Sequence, residues 1–101
     1  MSTAAIDERA VPRLGAGVRL QYDKVRDTWG LLAPERLFAL DGPSTEVLKL
    51  VDGRRCLGAI IDDLAARYNA PRALIADDVT AMLGGLAEKN VLHLSSGLTR
   101  H

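Results

Sequence analysis

The chain has 101 residues, is 48% hydrophobic and carries thirteen basic and thirteen acidic side chains. This suits one small domain of modest stability, and the neutral balance excludes a general attraction to nucleic acid or anionic membrane. One cysteine, Cys56, and two histidines exclude a disulfide framework and a zinc cluster of the usual ligand count, so a reducing, cytoplasmic setting with no metal or cofactor is expected.

Residues 1–14 show no sustained period and read as a mobile N-terminal arm, with acids where a signal peptide needs a basic start. No run approaches the roughly eighteen apolar residues of a membrane span. The body is expected over 15–94. Val18, Leu20 and Tyr22 alternate with Arg19, Gln21 and Asp23, the period-two mark of a half-buried strand. The charged run Asp23 to Asp27 turns the chain into a second strand, Thr28 to Ala33. Pro34-Glu35 then reverses it into a third, Leu37 to Leu40.

Asp41-Gly42-Pro43 changes the period. Proline near a first helical turn costs no hydrogen bond, and Val47, Leu48 and Val51 recur at helical spacing until Asp52-Gly53. A second helix places Leu57, Ile60, Ile61, Leu64 and Tyr68 on one face and breaks at Asn69 to Pro71. The third is the longest, with Ile75, Val79, Met82, Leu83 and Leu86 at offsets of three and four. Asn90 can take the left-handed conformation that closes it, and Val91 to Leu94 can pack back before a loose tail, 95–101. A three-stranded antiparallel meander followed by three helices is an α+β, winged helix-turn-helix-like domain.

Catalytic chemistry finds little support. Asp62-Asp63 and Asp77-Asp78 are helical neighbours about 100° apart, so neither pair converges on one atom. His93 has no nucleophile turn or orienting carboxylate around it, and Cys56 lacks a local histidine despite following Arg54-Arg55. A winged helix makes a DNA-binding regulator the alternative, yet the second and third helices each count to a net charge of minus one. Only Lys49, Arg54 and Arg55 cluster, against roughly six to ten phosphate contacts in operator binding.

The third strand is more informative. Arg36, Phe38 and Leu40 share one parity and Leu37 and Ala39 the other, so it is apolar on both faces although the last strand of a meander is an edge. Such an edge invites another strand, from a peptide, the N-terminal arm or a second copy of the protein.

Leu32-Ala33-Pro34-Glu35-Arg36, Leu40-Asp41, Val47-Leu48 with Asp52-Gly53, Ile60 with Leu64-Ala65, and Asp78-Val79 with Leu83 and Leu86 together resemble the pyrroloquinoline quinone biosynthesis protein D family over about residues 15–94. Its members are peptide chaperones of the class called RiPP recognition elements. The resemblance implies that the chain does no chemistry of its own. It would capture the ribosomal precursor peptide of pyrroloquinoline quinone and present it to a radical S-adenosylmethionine enzyme. In that family the peptide lies as an added strand in the groove beside the third helix. This maps the binding residues to Arg36, Leu37, Phe38, Ala39 and Leu40, with Val79, Met82, Leu83 and Leu86 opposite. Lys49, Arg54 and Arg55 are the candidate contact for the enzyme, and the edge strand could also pair two copies.

Overall fold

The computed structural model describes residues 7–95. Four strands precede three helices and a fifth strand closes the chain: β1 Val11–Leu14, β2 Arg19–Asp23, β3 Thr28–Ala33, β4 Arg36–Leu40, α1 Gly42–Lys49, α2 Leu57–Tyr68, α3 Arg72–Glu88 and β5 Leu92–Ser95. The expected meander is β2-β3-β4, antiparallel throughout, and the three expected helices follow it.

Pairing fixes which face of the meander is buried. Leu20 lies opposite Leu31 and Leu31 opposite Phe38, so these three side chains share one face. Leu31 is fully buried there and joins Leu48, Leu57, Ile60, Ile61, Leu64 and Leu83 in the core. Each helix therefore contributes its apolar stripe to one sheet face, as the helical spacing required. The opposite face carries Gly30, Leu32, Leu37 and Ala39. A Cβ at Gly30 would come within 3.0 Å of Leu37 Cδ1, so glycine is what lets Leu37 fold across its neighbouring strand.

The arm expected over residues 1–14 is corrected in its second half; residues 1–6 lie outside the described residues. Val11–Leu14 pairs antiparallel with Leu92–Ser95, and Pro12 and Ala10 are buried. The segment before it supplies what the sequence around Cys56 does not. Cys56 makes no side-chain cap for α2, and instead the N–H groups of Leu57 and Gly58 donate to the carbonyls of Ala10 and Glu8, each at 2.8 Å. A short segment without a period is held because its carbonyls satisfy a helix terminus. Of the expected tail, Ser95 belongs to β5 and the remainder lies outside the described residues.

The helix ends follow local chemistry. Asp41 caps α1 by accepting the Ser44 N–H at 2.8 Å. Asn69 closes α2 at φ 51°, and Asn90 at φ 65° turns the chain from α3 into β5.

Candidate functional site

The site begins at a two-residue turn. Pro34 and Glu35 connect β3 to β4, and the Ala33–Arg36 pair that flanks them closes the ladder. Bonded and non-bonded pairs alternate along an antiparallel ladder, so Ala33–Arg36, Leu31–Phe38 and Trp29–Leu40 exchange main-chain hydrogen bonds across it. The main-chain groups of the intervening residues, Leu37 and Ala39, point away from β3. Among the described residues no strand follows β4 in its sheet, which leaves two outward donors and two outward acceptors along this edge.

Side chains alternate in the opposite sense. Phe38 and Leu40 turn inward and pack, partly buried, against the core, whereas Leu37 stays 62% exposed and Ala39 is exposed. Arg36 reaches back over the Phe38 ring, 5.5 Å from its centroid, and donates to the Lys89 carbonyl at 3.3 Å. That bond ties the start of β4 to the end of α3. At the other end Asp41, just past β4, lines a groove of about 430 Å³ together with Asp78, Val79 and Met82 of α3. Strand and helix thus lie alongside one another, head to tail.

The groove is built from three helices. Pro43, Ser44 and Val47 of α1 form one wall, Leu64 and Tyr68 of α2 the base, and Ile75, Asp78, Val79 and Met82 of α3 the other wall. Hydrogen bonding from Ser44, its N–H first, offset in part by desolvation, holds the Asp41 carboxyl below its ordinary value, so it is charged at neutral pH.

The α3 residues expected at the site divide. Met82 is partly buried and lines the groove; Val79 lines it from a nearly enclosed position. Leu83 is fully buried and supports the wall from behind, with no surface to offer a guest. Leu86 packs on the core edge beyond the groove. Ile75 and Asp78 could have been found from sequence, because they share the i, i+3, i+4 row with Val79 and Met82. The α1 wall could not, since it depends on how two helices pack.

The basic trio is less concentrated than its sequence suggests. Lys49, at the end of α1, pairs with Glu46 at 3.2 Å and lies over the Trp29 ring at 5.0 Å. Arg55 pairs with Asp52 at 3.6 Å, and the N–H groups of Arg54 and Arg55 both donate to that carboxylate. The adjacent acids of α2 diverge as their spacing required: Asp62 takes Arg72 and Asp63 takes Arg67.

Against known proteins, the profile of coenzyme PQQ synthesis protein D (PqqD) matches residues 28–92, more than half of the chain. A PqqA binding protein from Gluconobacter oxydans is 48% identical over 88 residues, covering 87% of this chain and 92% of that one. The solution structure of the PqqD part of Methylobacterium extorquens PqqCD, described as a functional, stand-alone RiPP recognition element, superposes with a TM-score of 0.76. It is 49% identical and covers 88% of this chain and 95% of its own. The crystal structure of PqqD from Xanthomonas campestris is 42% identical, with a TM-score of 0.57 over 88% of this chain and 99% of its own.

Proposed function

The chain belongs to the coenzyme PQQ synthesis protein D family, and on that premise we propose that it is a non-catalytic peptide-binding adaptor of pyrroloquinoline quinone biosynthesis. It takes the ribosomal precursor peptide as an added strand on β4 and presents it to the radical S-adenosylmethionine enzyme of the pathway. The observation that carries this reading is the β4 edge, where the main-chain groups of Leu37 and Ala39 point outward and an apolar groove opens past the end of the strand at Asp41.

The energetics suffice. Four added main-chain bonds contribute about 1 kcal/mol each, and two Leu-sized anchors in the groove add roughly 1.5 to 3 kcal/mol each. After several kcal/mol of ordering and association costs, a micromolar or somewhat tighter complex is within reach. The same edge would serve a second copy of the protein, so self-pairing and guest binding compete for β4. Lys49, Arg54 and Arg55, at the other end of α1 from Asp41, are the contact proposed for the enzyme. The relatives lend no support to the DNA-binding alternative.

Titrating the precursor peptide while following backbone amide shifts tests the reading. Residues 36–41 and the groove-facing row of α3 should move, and duplex DNA should move nothing. Shifts confined to α2 and the loop before it would overturn strand addition at β4.

A further inference from the structure

We infer that the β4 edge is electrically polar from one end to the other, and that it selects a guest strand carrying a basic side chain at the Asp41/Asp78 end and an acidic one at the Arg36/Lys89 end. The inference deepens the peptide-binding reading and rests on it.

The groove at the end of β4 is lined by two carboxylates, Asp41 and Asp78, and by no cation. A separate hollow of about 260 Å³ at the start of β4 is lined by Arg36 and Lys89 with one carboxylate, Glu35. Among the described residues no Lys, Arg or His nitrogen lies within 4.0 Å of the Asp41 or Asp78 carboxylate, and no carboxylate oxygen lies within that distance of Arg36 or Lys89. Several acids elsewhere are paired, Glu8 and Asp62 with Arg72, Glu46 with Lys49 and Arg67, and Asp52 with Arg55, whereas Asp27, Glu35, Asp77 and Glu88 also stand outside any ion pair among the described residues. A recess adjoining the acidic end adds Asp27 and Glu46, of which Glu46 is already matched.

Strand addition through main-chain bonds is blind to sequence, and apolar anchors tolerate a slip of two residues. Opposite charges at the two ends remove that freedom, because a guest slipped or reversed puts like charge against like. From Arg36 to Asp41 the chain rises about 16 Å at 3.3 Å per residue, so the two guest charges are spaced by roughly four to six residues. The Asp78 carboxylate is the side chain on which discrimination turns, since that of Asp41 also caps α1.

The test measures binding of the full chain to the precursor peptide by fluorescence anisotropy at about 0.05 M and at 1 M NaCl, where the screening length shrinks to about 3 Å. Asp78→Lys and Arg36→Glu should each weaken the complex by about fivefold or more at low salt, with the loss collapsing at high salt. Asp77→Lys, one position away and outside the groove lining, should bind as the wild type does. A peptide with one Lys or Arg changed to Glu should lose affinity for the wild type and regain it for Asp78→Lys. Wild-type affinity in both groove variants at low salt, or no reversed peptide that regains binding, overturns the polarity while leaving peptide capture intact. No binding by the wild type overturns both.

Discussion

Arg72 grips both carboxylate oxygens of Glu8, 64 residues away in sequence, through Nη2 at 2.7 Å and Nη1 at 3.1 Å, while its Nε donates to Asp62 at 2.6 Å. One guanidinium thus joins the segment before β1, the second turn of α2 and the start of α3. The attachment is tight because Gly58 allows it: a Cβ there would meet Glu8 Oε1 at 3.1 Å and the Glu8 carbonyl at 3.4 Å.

Gly58→Val therefore forces the segment off the helix, and it should lower unfolding stability by about 1–3 kcal/mol in a denaturant titration. Amide exchange at Leu57 and Gly58 should quicken with it, because both amides lose their acceptors. An unchanged unfolding midpoint would show that the Glu8 contact carries no weight.

The same contact makes the segment sensitive to acid. Hydrogen bonding from Arg72, offset in part by desolvation, holds the Glu8 carboxyl below its ordinary value of 4.5. A carboxyl depressed in the folded state contributes stability that is fully present above the unfolded value and is lost as pH falls through the folded one. The Leu57 and Gly58 amides should therefore lose protection as pH is lowered from 5 toward 3, and Arg72→Gln should flatten that dependence. Asp41, held below 3.8 chiefly by the Ser44 N–H, sends the first turn of α1 the same way in more acid solution.

Ladder parity gives a clean test of strand addition. Ala39→Pro deletes an outward amide and leaves the β3 ladder whole, so it should cost at least 1 kcal/mol of peptide affinity, about fivefold, with a small change in melting temperature. Leu40→Pro deletes an amide bonded to Trp29 across the sheet, and it should destabilise the fold itself by about 3 kcal/mol. Full peptide affinity in Ala39→Pro would place the guest elsewhere.

Neighbours on α3 separate core from groove in the same way. Leu83→Ala should cost about 3 kcal/mol of folding stability, because the side chain is fully enclosed. Met82→Ala should cost about 1 kcal/mol of peptide affinity and less stability than Leu83→Ala. Equal losses of stability in the two variants would deny Met82 its place at the groove.

Much of this was legible in the sequence because it rests on local rules. Alternation at Val18 to Asp23, the Pro34-Glu35 reversal, the change of period at Asp41-Gly42-Pro43, the break at Asn69 to Pro71 and the left-handed Asn90 are each decided within a few residues. The residues around Pro12 were not legible, since β1 exists only through a partner eighty residues on and its lead-in only through the end of α2. The groove was half legible. Its α3 row has a period, but periodicity does not say that Leu83 faces the core while Met82 reaches the rim.

Pairing β1 with β5 sets Val11 across from Ser95. The strand Leu92–Ser95 is therefore held by a segment that Glu8 and Ala10 in turn fasten to α2, so releasing the Arg72 grip should also free the amides of this ribbon to exchange, whereas a cut in the exposed Lys24–Arg26 turn should leave it in place.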